Sequence, residues 1–358
     1  MPRAPVRSAY APPAWLRNPH LQSLLASSPL RAAQARRRLR QVPATHTQTL
    51  LELEEGVRLL GIASVPAGRM PRALALLLHG WEGSADSSYM RLTAAQLLRA
   101  GFAVFRLNFR DHGNTHHLNE GLFHSNRLDE VVAAARAVAS RWSHLPMFVA
   151  GYSLGGNFAL RLALRARQAG LPLHGVAVVC PLLDPARTMD SMEIGPAVYM
   201  RHFERMWRRS LARKRALFPQ AHGFDDAVLR LPMRALTDWM VRHATEFPSL
   251  AAYFDGYSVA GERLRALPVP ADILMAADDP VIPLEEFHHI AAFPNVRLEL
   301  AAHGGHCGFI ERASLDGYSE RWVAARFLAA LDARDPAVES AGDPDPCDPD
   351  GEYDHASA

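Results

Sequence analysis

The sequence predicts an α/β chain: a mostly parallel, doubly wound sheet with an antiparallel edge on its N-terminal side and a helical lid inserted into it. Three observations carry this. From Ala73 onward, short apolar runs alternate with segments of helical periodicity, the pattern of parallel strands joined by helical crossovers. The alternation is suspended from about Asp184 to Leu267, where the periodicity is helical and no strand is evident, and then resumes. Ahead of it, Thr45 to Leu53 and Val57 to Val65 are extended stretches around a turn at Gly56, a hairpin at a sheet edge.

Taken in order, residues 1–44 form an N-terminal extension packing on the core, with no clear strand and a basic run from Arg31 to Arg40 that reads as a solvated helix face. The first part of the core is 45–183. Ala73–Leu78 is continuously apolar, as a strand covered by helices on both faces must be, and ends in His79-Gly80-Trp81-Glu82-Gly83-Ser84. A helix from about Ser87 to Ala100 stops at Gly101, and Phe102–Leu107 is the next strand, followed by the polar loop Asn108–Thr115. A helix over about Asn126–Trp142, a strand from Met147 to Ala150, a helix around Phe158 and a strand over Gly175–Cys180 complete this part. The lid is 184–267. The second part of the core, 268–334, brings strands Ala271–Ala276 and Val296–Leu300, a helix near Leu284–Ala292 and a last helix from about Ser314 to Leu331. Residues 335–358, rich in Asp, Pro and Gly, read as a disordered acidic tail.

The chain has 358 residues, 49% of them hydrophobic, and a formal charge of +2, which argues for a globular protein and against a disordered or nucleic-acid-coating one. Its basic residues are arginines apart from Lys214, a compositional bias with no functional meaning attached. Cys180, Cys307 and Cys347 have neither a disulfide framework nor metal-knuckle spacing, which fits a reducing cytosol. No run approaches the roughly 18 apolar residues of a membrane helix, so secretion and membrane spanning are not expected.

Chemistry is announced by Gly151-Tyr152-Ser153-Leu154-Gly155, set between a strand and a helix. Gly-x-Ser-x-Gly alone also fits an ordinary turn; the flanking strand and helix make it a nucleophile elbow, with Ser153 Oγ exposed above the sheet and a helix N-terminus aimed at the reacting oxygen. A serine needs a histidine base and an acid to orient it, in the chain order Ser, Asp or Glu, His, each after a strand. Asp279, in Ala277-Asp278-Asp279-Pro280, is the expected acid, with Asp278 as the alternative. His306, bracketed by glycines in His303-Gly304-Gly305-His306-Cys307-Gly308, is the expected base, with His303 as the alternative. The oxyanion donors are expected to be the backbone amides of Leu154 and Trp81.

These segments, together with Asn18-Pro19-His20-Leu21-Gln22 and Asn108-Phe109-Arg110-Asp111-His112-Gly113, resemble the YheT-type α/β-hydrolases, a branch that includes bacterial esterase-like proteins and related animal abhydrolase-domain proteins. The likeness spans most of residues 15–331, and Asn-Pro-His-Leu-Gln is its specific part. It implies an α/β-hydrolase fold, a Ser153, Asp279, His306 triad, hydrolysis of a small-molecule carboxylic ester or lipid-like substrate, and no cofactor. The 184–267 stretch matches poorly outside Ala252–Ser258, so substrate preference does not carry over, and the membrane anchor of the animal relatives is absent, which implies a soluble protein.

Other signals have plainer readings. His116, His117, Glu120 and His124 are spaced as metal ligands could be, yet Ser-His-Asp hydrolysis requires no metal, and none is expected. In the lid, Tyr199, Met200, Phe203, Met206, Trp207 and Leu211 share a helix face while Arg201, Arg205, Arg208 and Arg209 lie off it. Such a face packs on its own domain; the sharper reading is a lid over an acyl-chain pocket that makes transient contact with anionic membrane surfaces. Cys307 reads as a small buried residue. Short- to medium-chain esters are the first expectation for substrate. The alternatives are acyl transfer to an acceptor other than water, and a non-catalytic binding protein on the same fold.

Overall fold

A two-residue strand β1 (Val6–Arg7) and two helices, α1 (Pro19–Ala26) and α2 (Pro29–Arg40), precede the main sheet in the computed structural model, which describes residues 4–333. Both helices start as their sequences dictate. Asn18 Oδ1 accepts from the amides of His20 and Leu21 at 2.9 and 3.0 Å, Ser28 Oγ accepts from Arg31 N at 3.2 Å, and each cap is followed by a proline, where no N–H is needed. The tail expected at 335–358, with Cys347, lies outside the described residues.

The hairpin is β2 (Ala44–Glu52) against β3 (Arg58–Pro66), antiparallel from Ala44 opposite Pro66 to Glu52 opposite Arg58. Then β4 (Ala73–Leu78), α3 (Ser88–Arg99), β5 (Phe102–Leu107), α4 (Leu128–Arg141), β6 (Met147–Tyr152), α5 (Leu154–Arg165) and β7 (Leu173–Val179) alternate. Every residue of β4, β5 and β6 is buried, which is why these strands run apolar instead of alternating; the exception, Arg106 of β5, donates from Nη1 to Ala85 O at 2.6 Å. Each buried leucine among them contributes roughly 1.5–3 kcal/mol over an exposed one. Five helices follow: α6 (Pro185–Ile194), α7 (Ala197–Leu217), α8 (Asp226–Leu229), α9 (Met233–Ala244) and α10 (Leu250–Tyr257). The alternation resumes with β8 (Ala271–Ala276), α11 (Glu285–Ile290), β9 (Val296–Ala301) and α12 (Tyr318–Asp332).

The nine strands form one sheet in the order β1-β9-β8-β7-β6-β4-β5-β3-β2. From β4 the chain crosses first to β5 on one side and then to β6 on the other, so the order reverses at β4, and ligands of open α/β sheets bind beyond the carboxyl ends at such a reversal. Leu78 pairs with Gly151 across β4 and β6, bringing the loops after them side by side, and the carboxyl ends of β8 and β9 lie at the same rim.

Three stretches differ from the sequence reading. Residues 1–44, read without a clear strand, contribute β1, which pairs in parallel with β9 at the edge of the sheet. The last helix begins at Tyr318, because Leu315 is in the left-handed region (φ 61°), which no helix interior accepts, and Ser314–Gly317 is a turn closed by Glu311 N on Asp316 O at 2.9 Å. The basic run is not a uniformly solvated face. Arg31 is wholly buried; its Nη2 donates to Glu320 Oε1 at 2.5 Å and its Nη1 to Gly308 O at 3.2 Å. Breaking a buried pair from one side strands the other charge. Arg31→Met is expected to lower the unfolding free energy by about 3–5 kcal/mol, read from urea midpoints, and adding Glu320→Leu to recover much of that loss.

Candidate active site

The turn between β6 and α5 holds Ser153 at φ 53°, ψ −119°, a conformation a non-glycine residue keeps only when its surroundings enforce it. Its N–H donates to Val179 O at 3.0 Å, and its carbonyl accepts from Gly156 N and Asn157 N at 2.9 and 3.1 Å. The glycines answer a steric demand. A methyl group on Gly151 would lie 2.2 Å from Gly155 O, and one on Gly155 would lie 2.3 Å from Leu78 O. Helix α5 thus starts in backbone contact with β4, which lifts the serine hydroxyl above the rim.

The loops after β8 and β9 bring two further groups to that hydroxyl. His306 Nε2 is 3.0 Å from Ser153 Oγ, and His306 Nδ1 is 2.9 Å from Asp279 Oδ2 and 3.2 Å from Oδ1. Asp279 is fixed in turn, since its Oδ1 accepts from the amides of Val281 and Ile282 at 2.8 and 3.0 Å and its side chain is fully buried. The two alternatives are placed elsewhere: Asp278 Oδ1 accepts from Gly305 N at 2.9 Å, while its Oδ2 lies 3.4 Å from His303 Nδ1. Burial works to lower the pKa of His306, and the Asp279 carboxylate outweighs it, leaving the imidazole at about 9.

The loop after β4 lies beside the serine. The amides of Trp81 and Leu154 have no hydrogen-bond partner among the described residues, while Gly80 N donates to Tyr89 Oη at 3.0 Å. The loop is held from behind by the Asn108–Gly113 segment. Asn108 Oδ1 accepts from Ala85 N at 2.7 Å and His112 Nε2 accepts from Glu82 N at 3.1 Å. Burial pushes His112 down to about 4, so its ring is neutral and free to accept, with its Nδ1–H donated to Arg110 O at 2.7 Å. Arg110 in turn forks onto Glu130, with contacts of 2.6–3.1 Å.

Two cavities meet at Ser153, Trp81 and Phe203. One, of about 100 Å³, runs beneath the inserted helices and is mainly apolar, walled by Met189, Met192, Trp207, Met240 and Phe254. The other, of about 420 Å³, lies between the loop after β4, α1 and α7, and includes Glu82, Asp86, Tyr199 and His202. The aromatic face of α7 roofs the site, Phe203 stacking on the Trp81 ring at 5.5 Å. Lys214, the only lysine of the chain, pins that helix down: it is buried and donates to Asp111 Oδ1 at 2.6 Å, to His116 O at 3.1 Å and to Asn119 O. His116 Nε2 pairs with Ser210 Oγ at 2.8 Å and His124 packs on Tyr253; among the described residues no cluster of His, Cys, Asp and Glu is arranged to hold a metal. Cys180 and Cys307 are buried free thiols.

Several contributors carry no sequence signal of their own. Tyr89 is one tyrosine in a helix, and the amides of Val281 and Ile282 are backbone. Ser23, whose Oγ accepts from His306 N at 2.9 Å, directly follows the Asn18–Gln22 motif, and that adjacency is the one clue available.

The sheet order, the elbow and the inserted helices define an α/β-hydrolase. The profile of the family described as serine aminopeptidase, S33 matches residues 69–313, and the chain belongs to that family. A protein of Escherichia coli (strain K12) named "Putative esterase YheT" is 28% identical over 304 residues, covering 80% of this chain and 85% of the relative. Human ABHD15 is 26% identical over 338 residues, 89% of this chain and 68% of its own. Among solved structures, an esterase of Pyrobaculum calidifontis superposes with a TM-score of 0.56 at 18% identity, over 84% of this chain and 89% of that one, a likeness of fold.

Helix α5 has no slack toward β4. Gly155→Ala is expected to cost at least about 1–3 kcal/mol in stability by overpacking, measured by thermal or urea unfolding, whereas Gly223→Ala, with open space at its Cβ and no positive φ, should cost less.

Proposed function

We propose that the protein hydrolyses carboxylic esters through an acyl-enzyme on Ser153. The observation that carries this is the unbroken line Ser153 Oγ, His306 Nε2, His306 Nδ1, Asp279 Oδ2, with contacts of 3.0 and 2.9 Å. His306 takes the serine proton as Oγ attacks the ester carbonyl; the Trp81 and Leu154 amides receive the oxyanion; His306 then protonates the departing alcohol. Water activated by the same imidazole releases the acid. Asp279 keeps the proton-bearing Nδ1 turned away from the serine and stabilises the imidazolium.

The small apolar cavity under α6, α7, α9 and α10 suits a short- to medium-chain acyl group, and the larger one, with carboxyl, hydroxyl and imidazole groups, suits the alcohol part. We read 184–267 as a lid and 1–44 as an extension serving the core. Val198, Arg201 and Arg205 are exposed along one side of α7, and Ile194 is 87% exposed just before it, which supports transient contact of the lid with an anionic membrane surface. Among the described residues no helix is long and apolar enough to cross a membrane. The two free thiols support a cytoplasmic setting.

A fluorophosphonate probe is expected to label the wild-type protein and not Ser153→Ala; no labelling of the wild type would leave a binding protein as the better reading. An ester panel graded by acyl length should show kcat/KM peaking at short to medium chains. Product analysis with added alcohols separates hydrolysis from acyl transfer. Because the base must be neutral to accept a proton, the labelling rate should rise with pH toward half-maximum near the His306 value of about 9. Asp279→Asn removes the carboxylate charge but not the burial, so the limb should move to lower pH as the maximal rate falls. Glu82, which burial and then Asp111 push up to about 8, titrates nearby; Glu82→Gln should leave the limb in place.

A further inference from the structure

The motif Asn18-Pro19-His20-Leu21-Gln22 is not needed for any step of the reaction above, yet helix α1 that it begins lies against the histidine loop. We propose that α1 is a clamp that positions the base, with Ser23 as its principal positioning residue and Gln22 as its anchor. The inference rests on the reading of His306 as the base.

Three observations converge. First, Ser23 Oγ donates to Pro19 O at 2.8 Å, one turn back on α1, which leaves its lone pair for the N–H of His306 at 2.9 Å. That amide has no other partner among the described residues, so the N–H of the base residue is held from α1, while the N–H of the preceding Gly305 goes to Asp278 Oδ1 at 2.9 Å. Second, Gln22 is buried and closes on Ile310 from both sides, Oε1 accepting from its N–H at 2.8 Å and Nε2 donating to its carbonyl at 3.1 Å. The same Nε2 lies 2.7 Å from Leu16 O and 2.8 Å from Tyr10 Oη, which ties the loop to the start of the chain. Third, the loop and α1 touch with no space between them: a methyl group on Gly305 would lie 2.3 Å from Pro19 O, and one on Gly308 would lie 2.9 Å from Gln22 Cβ.

The loop needs an external hold. Gly304, Gly305, Cys307 and Phe309 all have positive φ (150°, 54°, 55° and 45°), and two of them are not glycine. Such a run persists only when its surroundings over-determine it. Hydrogen bonds of this indirect kind set the orientation of a working imidazole, and a small displacement of a reacting group is costly in rate. The first turn of α1 also meets the inserted helices, His20 Nδ1 lying 2.9 Å from Tyr199 Oη, so a single helix touches both the base loop and the roof of the larger cavity.

The test is the rate of fluorophosphonate labelling of Ser153 in the full-length protein, with final labelled amplitude and unfolding midpoint measured alongside. Ser23→Ala is expected to label about tenfold more slowly while reaching full amplitude, with the pH of half-maximal rate shifted, and Ser23→Thr, which keeps the hydroxyl, to recover most of the rate. A wild-type rate in Ser23→Ala overturns the clamp. So does a loss seen only as reduced amplitude, since that reports unfolded protein, and so does Ser23→Thr remaining as slow as Ser23→Ala. Failure of the functional reading is distinguishable, because it appears in the wild type as no labelling, or in Ser153→Ala as labelling retained.

Discussion

The start of α5 against β4 is the constraint on which the site depends. Gly155 leaves no space for a methyl group between the helix and the carbonyls of Leu78 and His79, so the first turn of α5 and the loop after β4 are fixed by one contact. The consequences are chemical as well as steric. The amide of Leu154 opens the helix with no acceptor among the described residues, the amide of Trp81 opens the adjacent loop in the same condition, and Ser153 has a positive φ. Unpaired donors next to a displaced hydroxyl cost stability in an ordinary turn, and the proposed reaction gives them an acceptor in the oxygen that acquires charge.

A second group of contacts brings the His306 imidazole to that hydroxyl from far along the chain. The loop after β9 closes on itself through the amides of Gly308 and Phe309 on Gly304 O, and its other partners come from three directions. Asp279 supports the imidazole from β8, α1 supports the backbone from the N-terminal side, and the buried Arg31–Glu320 pair ties Gly308 to α2 and α12. The N-terminal segment, though distant in sequence, is therefore continuous with the site. The Asn108–Gly113 segment does the same for the loop after β4 through Asn108 and His112.

What could be read from the sequence followed from signals that are local. The strands β4, β5, β6 and β8 were legible because burial on both faces leaves a short run almost wholly apolar, with Arg106 and Asp272 the exceptions, and the elbow because glycine, serine and glycine stand in fixed register between such a strand and a helix. The order Ser153, Asp279, His306 was legible as residues following strands, and the structure brings those three side chains together. Asp279 and Asp278 could be separated only by orientation: the first faces the imidazole and two amides, the second faces Gly305 and His303. Arg31 and Lys214 were not legible, because a charge in a basic run and a lone lysine look the same in sequence whether they end in water or in a buried pair. The last helix was drawn four residues early because nothing in Ser314–Gly317 advertises that Leu315 has left the right-handed region.

Lys214 bears on how the roof of the site behaves. A buried ammonium with three oxygen acceptors, one of them a carboxylate, is costly to expose, so α7 is held most firmly near its C-terminal end. The residues of α7 that line the larger cavity, Tyr199 and Phe203 among them, lie about three to four turns away toward its N-terminus, where the contacts include ring stacking on Trp81 and a hydrogen bond to His20. Those contacts are cheaper to break than the ion pair. If the roof opens, the geometry favours a hinge at Lys214 with the free movement at Tyr199, and that movement would expose the larger cavity, whose wall α7 shares with α1. The same helix α1 holds the His306 amide, so the wall of the larger cavity and the placement of His306 meet on one short element.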